Sequence, residues 1–254
     1  MSTKAPRIHP TAIVDARAEI ADDVEIGPYA VVDAGVRITH GTRLMAHAVI
    51  HGPCAIGERN VVHPFAVLGG APQAKKHGGG PTRTEIGDDN VFREHVTVHG
   101  GTEGRATRIG SHNLFMVSAH VAHDVVVGSR CVIANAVQLA GHAVVGDWAT
   151  FGGLAGVAQF VEVGDSAFVA AGAMCEKRVP PFVIVQGDRA RVRALNVVGL
   201  TRRGVGEESI AALARAFRIL FSRQRTRADA LRLVDRSDPY VAALVTALEV
   251  TGRA

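Results

Sequence analysis

Histidine is the residue type in this 254-residue chain best suited to chemistry at neutral pH. Six of its histidines fall between residues 95 and 142: His95, His99, His112, His120, His123 and His142. His120, His123 and Asp124 share the segment AHVAHD, and His142 ends the segment LAGH. A histidine beside a substrate hydroxyl is the usual general base, because it titrates near the working pH. A neighbouring carboxylate fixes its tautomer and raises its basicity. Three histidines could instead bind zinc. His120 and His123 are three apart, however, which in an extended segment sends their side chains to opposite faces. A bare histidine on a repetitive scaffold is by default a surface residue, so the reading depends on what else stands beside each one.

A repeat supplies that context. Every sixth residue from Ile8 is aliphatic: Ile8, Val14, Ile20, Ile26, Val32, Ile38, Leu44, Ile50, Ile56, Val62 and Leu68. Four residues after these come mostly small ones, such as Ala12, Ala18, Ala30, Ala48, Cys54, Asn60 and Ala66. The phase resumes at Ile86, Phe92 and Val98, and again, shifted, from Ile109 to Val169. A period of six fits neither a helix nor a simple amphipathic strand. It fits a short strand and a turn, three of which close a triangular coil of eighteen residues. Stacked coils would lie about 4.8 Å apart, the spacing of hydrogen-bonded strands. Each coil buries its interior only against its neighbours, so the run has to be long, and about nine coils fit between residues 8 and 175. On this lattice Asp124 lies under His142, and His123 lies under Gly141, which lies under Gln159. A base, an acid and a backbone turn therefore meet on one surface.

Two excursions interrupt the repeat. Residues 69–83 are rich in Gly and Pro; Leu68 and Ile86 differ by eighteen, so the phase survives. After residues 99–108 the phase shifts by one. Loops that leave a regular scaffold commonly carry binding groups. Beyond Pro180–Pro181 the period ends, and residues 207–222 and 226–248 read as helices, with acids opening the first. The expected organisation is a β-solenoid domain over 1–185 and a small helical domain over 186–254, which would cap one end.

Composition narrows the class. Aromatic residues make up only 5% of the chain, as expected of a core filled with Val, Ile, Leu and Ala. The opening MSTKAPRIHP lacks the apolar stretch of a secretory signal, and no apolar run is long enough for a membrane span. The expectation is a soluble, cytoplasmic protein. Cys54, Cys131 and Cys175 are isolated and read as buried fillers rather than a disulfide or zinc framework. Residues 189–254 hold thirteen Arg and six acids, a net +7 against +4 for the whole chain. Such a block suits an acidic partner, yet no nucleic-acid-binding motif accompanies it and aromatics for base stacking are scarce.

The hexad pattern resembles the hexapeptide-repeat, left-handed parallel β-helix family, which includes sugar and serine acyltransferases and γ-type carbonic anhydrases. More specifically, AHVAHD, LAGH, RVPPFVIVQGD, NVVGLTRRG and PTRTEIG resemble the UDP-N-acetylglucosamine 3-O-acyltransferase family, whose reaction opens lipid A synthesis. The likeness runs along nearly the whole chain. It implies transfer of a (3-hydroxy)acyl chain from acyl carrier protein to a UDP-amino sugar. It implies His123 as general base, Asp124 as its orienting partner and the Gly141 N–H as oxyanion donor. Gln73, Lys76, His120, His142 and Gln159 match sugar- or acyl-contacting positions. Asn196, Arg202 and Arg203 match positions near the UDP phosphates and the carrier's pantetheine arm, where the planar guanidinium suits phosphate. Phe168 and Ala171 match positions that limit acyl-chain length. The family's sites lie between subunits of a homotrimer and need no metal or organic cofactor, because the carrier's phosphopantetheine brings the thioester.

The chain departs from that pattern at four positions. Ala74 replaces the usual Asp, Ala158 a His, Val198 a Glu and Gly100 an Arg. These touch the nucleotide-sugar and acyl surroundings, whereas the base, its partner and the glycine are kept. Three readings stand beside the first: a related nucleotide-sugar N-acyltransferase of the same fold, a γ-type zinc carbonic anhydrase, and a non-catalytic scaffold. The residues alone do not decide whether a hydroxyl or an amine is acylated.

Overall fold

The computed structural model describes residues 6–249 apart from 76, 81, 103 and 223. The chain winds a parallel β-solenoid of about ten turns, the mainly β architecture expected, followed by helices. Most hexads contribute a two-residue strand whose second residue is the inward one, as in Arg43–Leu44, Val49–Ile50 and Val132–Ile133. Among the described residues the strands stack into three sheets, the faces of a triangular prism. Face I has eleven strands starting at Arg7–Ile8, face II nine starting at Ile13–Val14, and face III eight starting at Glu19–Ile20. All pairings are parallel except the last, a hairpin of Val183–Gln186 with Arg191–Leu195. That hairpin straddles residue 185, where the sequence places its domain boundary.

The aliphatic residues point inward and form one column-like core from Val24 to Val185. Inside it Phe92 lies flat on Phe115, with ring centroids 5.0 Å apart. The corners require residues in the left-handed backbone region, and most are not glycine. Asp124, His142 and Phe160 adopt φ of 61°, 62° and 63°. This conformation is costly for such residues, and hydrogen bonds between coils offset it: His142 N–H donates to His123 O, and Phe160 N–H to Gly141 O. At the corner between faces III and I the small buried polar residues form a ladder. Asn90 Nδ2 donates to Asn60 Oδ1 and Gly110 O, and Asn113 N–H donates to Asn90 Oδ1. Buried amides of this kind persist only when paired.

The excursions lengthen single turns. Across the first, Val67 pairs with Thr97 and Cys54 with Thr84, a step of 30 residues. Twelve residues are inserted, two whole hexads, so the phase survives; but Leu68 does not lie beneath Ile86. Leu68 faces Val98 on face II, and Ile86 sits over Ile56 on face III. Across the second excursion Thr97 pairs with His120, a step of 23, so five residues are inserted and the phase slips by one.

The C-terminal residues form α1 (Val197–Arg202), α2 (Glu207–Leu220), α3 (Arg227–Leu233) and α4 (Pro239–Glu249). The single helix expected over 226–248 is two. Pro239 cannot sit inside a helix, and Asp238 Oδ1 accepts from Tyr240 and Val241 N–H to start α4. The helices share a second core around Leu200, Leu213 and Leu244, while Phe217 of α2 and Phe221, which caps its end, also pack against the solenoid core. Among the described residues no helix is long and apolar enough to cross a membrane.

Candidate active site

The strand His120–Val121 lies on face II, and the next strand of the coil, Val126–Val127, lies on face III. The turn between them presents His123 and Asp124. No insertion separates the next two coils, since His120 pairs with Gln138 and Gln138 with Gly156. The turns therefore stack as the eighteen-residue lattice expects. His123 lies against Gly141, His142 lies over Asp124, and the His142 and Phe160 rings stack with centroids 4.6 Å apart. A Cβ on Gly141 would stand 2.8 Å from both Cε1 and Nε2 of His123. Only a glycine leaves room for the imidazole there.

Asp124 is buried and heavily bonded. Its Oδ2 lies 2.8 Å from His123 Nδ1 and accepts the Thr102 hydroxyl at 2.7 Å. Its Oδ1 accepts the Thr102 N–H at 2.9 Å, and its own N–H donates to Thr107 Oγ1. Burial by itself raises the Asp124 pKa, but the bonds from His123 and Thr102 and the neighbouring His142 take it below the usual carboxylate value. An ionised Asp124 can only accept, so Nδ1 of His123 carries the proton it shares with Asp124. In the neutral ring Nε2 is then free to accept. His142 Nε2 stands 3.7 Å from the same Oδ2.

His120 lines the wall, its Nδ1 2.8 Å from the Thr97 hydroxyl. Burial, with help from His99, pushes its pKa down to about 4. His99 is lowered too, by burial and by His123, and its buried Nδ1 has no hydrogen-bond partner among the described residues. His120 and His123 do not point to opposite faces as expected: both line one cleft, because His123 lies in the turn rather than the strand.

That cleft encloses about 1440 Å³. It brings together Gln73, His120, His123, Gly141, His142 and Gln159, with Asp124 buried beneath. Lys76 lies outside the described residues. The first excursion supplies Gln73, Lys75 and His77, and the second supplies Thr102 and Arg105; Glu176 and Asp188 also line it. Thr102 and Thr107 have no counterpart in the sequence reading, although the second excursion marks the loop that carries them.

Five expected residues lie elsewhere on this chain. Asn196 caps α1: its Oδ1 accepts Gly199 N–H and its Nδ2 donates to Ser166 O. Arg203 donates to Ser166 Oγ and lies over the Trp148 ring at 5.8 Å, while Arg202 is exposed. Phe168 is half-buried on face I, and Ala171 is exposed at the corner between faces I and II. None of the five lines the cleft. Among the described residues one cluster could offer three ligands to a metal: His123, Asp124 and His142. A zinc ion there would compete with His123 and Thr102 for Oδ2.

Comparison with known proteins fits this geometry. Over 225 residues, 88% of this chain and 87% of the relative, the sequence is 50% identical to the acyl-[acyl-carrier-protein]–UDP-N-acetylglucosamine O-acyltransferase of Thiobacillus denitrificans. The chain belongs to this acyltransferase family. A family model described as UDP N-acetylglucosamine O-acyltransferase, domain 2, matches residues 179–254. The crystal structure of UDP-N-acetylglucosamine O-acyltransferase (LpxA) from Moraxella catarrhalis superposes with a TM-score of 0.91 at 39% identity, covering 97% of this chain and 98% of that one. LpxA from Acinetobacter baumannii gives 0.91 at 37% identity with the same coverage. Two of the four departures from the acyltransferase pattern, Ala74 and Ala158, line the cleft. Val198 is exposed, and a Cβ on Gly100 would come 2.8 Å from Thr82, so the loop here is packed for glycine.

Proposed function

We propose that this chain moves an acyl chain from acyl carrier protein to the 3-hydroxyl of UDP-N-acetylglucosamine, the first step of lipid A synthesis. One observation carries the mechanism: the buried, ionised Asp124 holds Nδ1 of His123, leaving Nε2 open to the cleft. Nε2 takes the proton of the sugar 3-hydroxyl as its oxygen attacks the thioester carbonyl carbon. Negative charge moves to the carbonyl oxygen, where the Gly141 N–H, which has no hydrogen-bond partner among the described residues, donates to it. The C–S bond then breaks, and the protonated His123 returns its proton to the leaving phosphopantetheine thiolate. The acyl group ends as an ester, and the base is restored.

Gln73, His120, His142 and Gln159 hold sugar and acyl groups around the base, and Lys76 is given the same role by its match to the family. Asn196, Arg202, Arg203, Phe168 and Ala171 lie away from this chain's cleft, which supports a homotrimer in which they serve a neighbour's site. Arg202 and Arg203 then meet the UDP phosphates, with Asn196 fixing the helix start that presents them. Phe168 and Ala171 bound the acyl chain. No metal or organic cofactor takes part, since the donor arrives as a thioester, and the reaction belongs in the cytoplasm with its carrier.

The test is mass spectrometry of products from a panel of UDP-sugars with carriers bearing different chains. A hydroxylamine-labile monoacyl ester on UDP-N-acetylglucosamine is expected. Acylation solely of UDP-sugars bearing a free amine, as a stable amide, would transfer the chain to the N-acyltransferases.

A further inference from the structure

The turn beneath the His123–Asp124 corner is the one the second excursion lengthens. Thr84 pairs with Thr107 across 23 residues, so the chain spends five extra residues directly under the base and its partner. The loop is tied down. Gly100 N–H donates to Gly70 O, Gly101 N–H to Arg83 O, and Arg105 N–H closes a turn on Thr102 O. A Cβ on Gly101 would meet Arg105 O at 2.5 Å, so the turn admits no larger residue there. The outcome is that Thr102 puts two donors on one carboxylate, its N–H on Oδ1 and its hydroxyl on Oδ2. The hydroxyl has a single proton and an ionised carboxylate has none to offer, so the direction of that bond is settled.

Two imidazoles compete for Oδ2: His123 Nδ1 at 2.8 Å and His142 Nε2 at 3.7 Å. A carboxylate bound only by its histidines could turn toward either. With Thr102 on both oxygens its plane is fixed, and it meets His123. We propose that Thr102 is a positioning residue for acyl transfer, committing the Asp124 carboxylate to His123 rather than His142. This rests on the reading of His123 as general base. The titratable and charged groups bordering the pair are His142 from the coil above and His99, His120 and Arg105 along the wall.

Thr102→Val removes the hydroxyl donor and keeps the N–H and the shape, and Thr102→Ser restores the donor. A hydrogen bond to a charged group is worth enough to lower kcat about ten- to a hundredfold in the valine variant. The KM for UDP-N-acetylglucosamine should stay within about twofold, because the bond does not contact substrate. Freed to turn toward His142, the carboxylate steadies a protonated His123 less, so the acid limb of kcat/KM should move to lower pH. The serine variant should behave as wild type, and Thr102→Ala should match valine if valine folds poorly. A valine variant with wild-type kcat, a loss of kcat with an unmoved acid limb, or a serine variant as slow as valine would each overturn the proposal. His123→Ala, assayed in parallel, separates the two readings: if it stays active, the general-base reading fails instead.

Discussion

Adding one methyl group at Gly141 tests how tightly the base is placed. The Gly141 backbone lies outside the left-handed region, so alanine is conformationally allowed. Its Cβ would nevertheless stand 2.8 Å from His123 Cε1 and Nε2, where carbon contacts settle at about 3.5–4.0 Å. The ring therefore has to retreat by roughly 1 Å. It cannot do so freely, because the 2.8 Å bond to Asp124 and the coil below hold it. A displacement of about 1 Å in a reacting group costs on the order of 10²-fold in rate. Gly141→Ala should thus lower kcat about a hundredfold with little change in stability, read from ester formation by acyl carrier protein and UDP-N-acetylglucosamine under saturating substrate. The N–H of residue 141 survives the change, so the loss reports on the base and not on the oxyanion donor. On a His123→Ala background the same substitution should cost little, because the clash is gone. A Gly141→Ala enzyme within about twofold of wild type, or a full additional loss on the His123→Ala background, would refute the packing account.

Three further outcomes are expected. The folded chain holds His120 at about 4, below the ~6.5 of free imidazole, so as pH falls between those values the unfolded chain takes up a proton that the folded one refuses. Stability therefore declines from about pH 6.5 toward 4, and His120→Gln should flatten that part of the Tm–pH curve; an unchanged slope would count against it. Asn90→Ala should destabilise by roughly 3 kcal/mol in urea unfolding, because it strands buried groups of Asn60, Gly110 and Asn113; a change below about 1 kcal/mol would mean that the ladder is not needed. The KM for acyl carrier protein should rise with ionic strength, since the Arg-rich C-terminal block steers an acidic partner, and a salt-independent KM would argue for a different docking surface.

The parts legible in the sequence were those the hexad governs. Where coils follow one another without insertion, as from His120 through Gln138 to Gly156, counting eighteen placed His123 against Gly141 and Asp124 beneath His142. Where loops intervene, counting failed. Twelve inserted residues keep a six-residue phase but change the face, so Leu68 and Ile86 share a phase without sharing a column. Thr102 could not be found by period at all, because its bonds to Asp124 depend on how a loop folds back under the next coil. The opposite-face reading of His120 and His123 assumed a strand where the chain turns. Asn60 reads only as one of the small residues of the repeat, yet with Asn90 and Asn113 it is a rung of a hydrogen-bonded ladder that reaches across coils. The helix expected over 226–248 bridges Asp235–Asp238, a stretch with no apolar residue, and Pro239 with the Asp238 cap decides the break.

His123 is the group on which the whole transfer depends. His123→Ala should keep the solenoid intact, since the side chain lies in a turn at the cleft wall and not in the solenoid core. The decisive measurement is kcat for acyl transfer to UDP-N-acetylglucosamine by the purified variant, alongside its unfolding temperature. A fall of about 10²–10⁴-fold at an unchanged Tm is expected of a general base; turnover within a few-fold of wild type would remove His123 from the mechanism.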